Sequence, residues 1–144
     1  VKPQNYKNHE RLIPAFHMFL VPLGLTTLAA AAVHLGISFW RGESPFAPLL
    51  ILSLSLIAVL TMIFARKFAC KVQDRAIRAE ESLRSYALSG QRLDPRLTLQ
   101  QIIALRFASD EEWQLLCEKA ANENMSPDGI KRSIQAWKAD YDRV

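Results

Sequence analysis

The sequence predicts an all-α membrane protein: a two-span transmembrane helical hairpin, a second helix extended into the cytoplasm, and a small cytoplasmic bundle of three short helices. Three observations predict it. Charge is segregated, because between Leu12 and Ala65 the only Asp, Glu, Lys or Arg residues are Arg41 and Glu43. Two apolar runs, about 14–40 and 46–65, each reach the roughly 20 residues that cross about 30 Å of hydrocarbon. Capping signals then punctuate the polar remainder. A soluble core helix passes the same length test, but two such runs in 144 residues are hard to bury. The first run is also too long for a cleavable leader, and a second follows it.

The N-terminal arm, 1–13, is polar and belongs at headgroup level, with His9 solvated. Pro14 suits a helix entry, where its missing N–H costs nothing. Pro22 falls inside the first run and is expected to kink it. Gly42, Ser44 and Pro45 supply the turn. No Gly or Pro occurs from Leu49 to Ser89, so one helix is expected to continue from the second span through 66–90 and stop at Gly90. Beyond the span its apolar residues recur at Phe68, Val72, Ala76, Ala79, Leu83 and Tyr86, a single helical stripe. That stripe is the expected seat for the C-terminal helices, since about fifty residues seldom form an independent core.

Those helices occupy 97–144. Thr98 with Gln101, and Ser109 with Glu112, fit the capping box. Ser126-Pro127 marks a third start. The expected inward faces are Ile102, Ile103 and Phe107; Trp113, Leu116, Cys117 and Ala120; and Ile130, Ile134, Trp137 and Tyr141.

Positive charge near span ends sets topology. Lys2, Lys7 and Arg11 precede the first span, and Arg66, Lys67, Lys71, Arg75 and Arg78 follow the second. Both termini are therefore expected on the cytoplasmic side of a bacterial inner membrane, with those five cations meeting anionic lipids. Cys70 and Cys117 then lie in a reducing compartment and are expected as free thiols.

Enzyme chemistry finds little support. No Gly-rich phosphate loop, HExxH, GxSxG or paired CxxC occurs, and the acids of "SDEE" at 109–112 suit the N-terminus of a helix. The expectation is no catalytic residue, no metal site and no enzyme. A membrane-tethered helix-turn-helix regulator is an alternative, but it needs a basic face. Residues 90–144 carry eight basic against nine acidic side chains, so no nucleic acid is expected as a partner.

Two stretches, "QNYKNHERLIPAFH" from Gln4 and "LTLQQIIALRFASDEEWQLLCEKAANENMSPDGIKRSIQAWKADYDRV" from Leu97, resemble a family of small bacterial two-span proteins classed only as a domain of unknown function. The resemblance implies the architecture and leaves the function open. Function is read instead as that of a non-catalytic accessory subunit of a larger photosynthetic or respiratory membrane complex. Other integral membrane subunits would be its partners, docked in part by Trp113, Trp137 and Tyr141.

His34 is the candidate site residue. It follows "LAAAAV", a small-residue surface that admits a neighbouring helix or a flat ring, and it stands six residues, about 9 Å, before Trp40. An imidazole within a span usually faces protein or cofactor, and the expectation is a hydrogen bond to the second helix, for instance at Ser53, Ser55 or Thr61. As an alternative, Ala30, His34, Trp40 and Arg41 resemble the pigment-binding helix of light-harvesting β polypeptides. That resemblance implies His34 as axial ligand of a (bacterio)chlorophyll magnesium, Ala30 as the space for its ring and Trp40 as a hydrogen-bond donor to it. A haem would want a second axial ligand, and the second span offers only Met62.

Overall fold

The computed structural model describes residues 3–9 and 12–140, and every regular element among them is helical. The chain divides into two compact units, residues 12–69 and residues 1–11 with 70–144. In order, a π-wound segment Ala15–Leu20 leads into α1, Val21–Arg41; α2 is Phe46–Ser89, α3 Leu99–Leu105, α4 Asp110–Asn122 and α5 Pro127–Ser133. Helix α2 is unbroken for 44 residues and belongs to both units.

In residues 12–69, helical winding runs without a break from Ala15 to Arg41, and Pro22 falls inside it. It occupies the first turn of α1, directly after the π-wound segment, where the wider winding relieves the clash of its ring with the carbonyl four residues earlier. The His17 ring folds back on the segment's start, with Nδ1 3.1 Å from the Ile13 backbone nitrogen. At the far end Gly42 adopts φ +69°, and the Glu43 N–H donates to the Ser38 carbonyl at 2.9 Å. This left-handed cap closes α1 and turns the chain into α2.

The two helices meet along small residues. Gly24, Ala31 and Ser38 recur every seven positions on α1; Ala31 and Ser38 are buried, and a Cβ at Gly24 would come within 2.6 Å of the Met62 methyl. On α2, Ser55 and Val59 are buried. Nearly everything else is uncovered: only 6% of the most apolar window of the first helix, and 11% of that of α2, is buried. Both are long and apolar enough to cross a membrane.

The other unit has a conventional core. Ile102, Leu105, Phe107, Trp113, Leu116, Ile130 and Ile134 form its centre, with Ala104, Ala108 and Ala120 filling the close approaches. The Thr98–Gln101 capping box is present, with the Thr98 N–H donating to Gln101 Oε1 at 2.8 Å. The buried Gln101 amide is satisfied as well, because Nε2 donates to the Met125 carbonyl at 2.9 Å. Ser126 caps α5 by accepting from the Gly129 N–H at 3.0 Å. Gly90, at φ +70°, ends α2 with its N–H on the Tyr86 carbonyl.

Three expectations are corrected here. Ser109 caps α4 without a side-chain bond; Glu112 turns away and accepts from the Gln135 and Ala136 N–H groups at 3.1 and 3.0 Å. Helix α5 stops at Ser133, so Ile134 and Trp137 are not its continuation. The backbone there is extended and pairs with 107–109 through Lys138 N–H to Phe107 O (2.7 Å) and Ser109 N–H to Ala136 O (2.9 Å). Those partners compete with the helical ladder and win.

The third correction concerns α2. Its apolar stripe is not the seat of the short helices: Phe68, Val72, Leu83 and Tyr86 are 62–70% exposed. The buried face carries Ile77, Glu81 and Ser85. At about 100° per residue it lies on the opposite side of the helix.

Burial keeps Cys117 7% exposed and pushes its thiol up to about 12, whereas Cys70 is partly exposed. Maleimide at neutral pH is expected to add once, at Cys70, and a second time only after denaturation. Intact-mass spectrometry reads the count, and two rapid additions to the folded chain would contradict this core.

Candidate functional site

Two clusters gather the polar side chains of the second unit. The first sits under α2. Trp113 Nε1–H donates to Glu81 Oε2 at 2.7 Å, and Arg84 Nη1 donates to the same carboxylate at 3.3 Å. Arg84 also donates to Asp110 Oδ1 at 2.7 Å and to the Ala108 carbonyl at 2.7 Å, with its guanidinium 5.3 Å from the Trp113 ring centroid. Both members of the Glu81–Arg84 pair are 9% exposed. Burial raises the Glu81 carboxyl above its usual range, against the opposing pull of Arg84 and the Trp113 N–H. Asp110, at the exposed edge, is held below its usual range by the Arg84 hydrogen bond. A cavity of about 310 Å³ beside this cluster is lined by Glu80, Glu81, Arg84, Arg106, Lys138 and Asp140, three acids against three bases. Such a balanced, bonded set fixes geometry.

The second cluster joins the chain's two ends. Gln4 pairs like a strand residue, accepting from the Asp140 N–H at 2.8 Å and donating to its carbonyl at 3.1 Å. The Tyr6 hydroxyl donates to Asp128 Oδ1 at 2.6 Å. Asn5 and Asn8 tighten the turn between them, the Asn5 N–H donating to Asn8 Oδ1 and the Lys7 N–H to Asn5 Oδ1. His9 is not solvated. Its ring lies 5.8 Å from Phe107 and 5.9 Å from Trp137, with Nε2 3.0 Å from Lys131 Nζ. Residues 4–9 thus form a clasp with Phe107, Asp128, Lys131, Trp137 and Asp140.

The anticipated site residues scatter. Ala30 and His34 stand one turn apart on the exposed side of α1. Trp40, 87% exposed, lies six residues beyond His34, about 120° round the helix, so the three do not share a face. The expected bond from His34 to α2 is not made. The Ser53 and Ser55 hydroxyls donate to the carbonyls of Leu50 and Ile51 in their own helix, and among the described residues no hydrogen bond reaches the His34 ring. Trp113, expected on a docking edge, is 2% exposed and belongs to the core. Trp137 is half-buried against His9 and Phe107. Tyr141 lies outside the described residues. Among those residues no group of three or more His, Cys, Asp or Glu is placed to hold a metal ion. The Glu81–Arg84–Trp113 cluster escaped sequence reading, because a Glu and an Arg three apart on a helix read equally well as a solvated pair.

The fold and its clusters define an all-helical chain in which two long apolar helices are joined to a small helical unit held shut by its own termini. A family model matches residues 1–144, and the chain belongs to that family, described as "Family of unknown function (DUF6526)". No curated protein and no solved structure matches the chain.

Unfolding should expose the linkage at Glu81. With the folded carboxyl raised above the unfolded value, the native state binds the extra proton between the two, so this group's contribution falls as pH rises through the folded value and is fully present below the unfolded one. As pH is lowered from neutral down to the unfolded value, urea unfolding should show the wild type gaining on Glu81→Gln; curves parallel over that whole range would refute the shift. Trp113→Ala should cost about 3–5 kcal/mol by loss of the buried ring, measured in the same titration.

Proposed function

We propose that this chain is a non-catalytic accessory subunit of a larger bacterial inner-membrane assembly, photosynthetic or respiratory, anchored by α1 and α2 with both termini in the cytoplasm. One observation carries the reading: the apolar helices leave about nine-tenths of their most hydrophobic windows uncovered. A core helix of a water-soluble protein is mostly buried; these need lipid or other subunits around them. The small residues facing outward on α1, Ala29, Ala30 and Ala32, suit close approach of a neighbouring helix.

The orientation rests on the cations that follow the proposed second span, Arg66, Lys67, Lys71, Arg75 and Arg78, which would meet anionic headgroups. Within the hairpin unit, a cavity of about 410 Å³ is lined by apolar side chains, Leu25, Val59 and Met62 among them, together with Arg66 and Lys67. An acyl chain of an anionic lipid matches that lining. The polar clusters support a scaffold role, since their charged and hydrogen-bonding groups are engaged with one another.

A second reading is favoured by one observation, the exposure of His34 without a hydrogen bond among the described residues. The imidazole faces whatever surrounds the hairpin, and a (bacterio)chlorophyll magnesium is one such occupant, with Ala30 a turn away on the ring's side.

Native-gel migration of membranes from a deletion strain tests the first reading: one large complex is expected to shrink or vanish, and an unchanged set of complexes would defeat it. The absorption spectrum of the gently purified protein tests the second. Tetrapyrrole bands lost in His34→Ala would establish the pigment site, and a colourless native preparation would end it.

A further inference from the structure

We propose that the exposed stripe of α2 is the seam of a parallel, in-register pair formed by two copies of this chain. The second unit covers one side of α2, through Ile77, Glu81 and Ser85, and leaves Val72, Ala76, Ala79, Leu83 and Tyr86 uncovered on the other. Their steps of four, three, four and three are the a/d spacing of a coiled coil, with Ala76 and Leu83 at a and Val72, Ala79 and Tyr86 at d. The buried residues then fall at b, c and f, so the fold of one chain occupies the positions that a coiled coil leaves outside.

Charge selects the occupant and its direction. Arg75 falls at g and Glu80 at e, on opposite flanks of the stripe, and both are exposed. Five residues apart on one helix, they point away from each other; among the described residues neither has an ion-pair partner. In a parallel pair, g of one helix meets e of the other five positions on, which sets Arg75 of each copy beside Glu80 of its mate, twice by symmetry. An antiparallel pair sets g against g and e against e, and loses both contacts. The chain is therefore complementary to itself in one register. Ala76 and Ala79 let the backbones approach closely, while Leu83 and Tyr86 supply the apolar area. Two heptads are short for an isolated coiled coil, and confinement of both copies to one membrane raises their effective concentration. The pairing rests on the membrane anchoring of the proposed function but asks nothing of a larger assembly, so its failure and that of the accessory-subunit reading are told apart.

The test uses the full-length chain in intact cells, with Cys70→Ser and Ala79→Cys, oxidised by copper phenanthroline. A disulfide-linked species of twice the chain mass is expected, well above that from Leu115→Cys, an exposed position on α4. Arg75→Glu or Glu80→Arg alone should lower that species severalfold, and the two together should restore it. Cross-linking no greater at residue 79 than at residue 115, an adduct of a different mass, or a double reversal that stays as weak as the singles would each overturn the proposal.

Discussion

A carboxylate and a guanidinium turned into a small helical core persist there only when every remaining donor and acceptor is met, and Glu81 and Arg84 impose that condition on this fold. Glu81 accepts from the Trp113 indole N–H and from Arg84; Arg84 donates also to Asp110 and the Ala108 carbonyl and lies over the face of Trp113. Trp113 and Asp110 belong to α4 and Ala108 to the loop before it, so the set locks both onto one side of α2. Replacing such a pair by apolar groups is often neutral or stabilising, whereas removing one member is costly. Its value here lies in orientation. An apolar seat would have accepted the short helices in several registers, and these directed bonds accept one.

That choice of face has a consequence for the rest of α2. The apolar stripe, the obvious surface for packing, is left outside. Leucine, valine, phenylalanine and tyrosine in one line on a helix are an unsatisfied surface in water, and charges flank them on both sides. The hairpin has a similar incompleteness, with Gly24, Ala31 and Ser38 used between α1 and α2 and most of its large residues turned outward. Both units present apolar area whose partners lie outside a single chain, in keeping with the proposed life in an assembly.

The clasp between the termini closes the second unit. Gln4 supplies a side-chain amide that mimics a peptide group and pairs with Asp140; His9 packs against the Phe107–Trp137 ring pair. The imidazole and the phenol of the polar arm, His9 and Tyr6, are held in structural contacts.

The sequence by itself determined what depends on local or additive quantities. Hydropathy summed over twenty residues marked the two apolar helices, Thr98 with Gln101 and Ser126 with Pro127 marked two helix starts, and Gly42 and Gly90 marked two stops, because each signal acts within a turn or two of the backbone. Tertiary structure alone decided which face of α2 is buried, where Glu112 spends its carboxylate, why α5 ends at Ser133, and that Trp113 is core and His9 is not solvated. Those outcomes rest on pairings between distant residues, 122 positions apart for His9 and Lys131. Competition between partners sets them: a stripe, a cap or a helix favoured locally yields when a distant group offers a buried donor or acceptor a better bond.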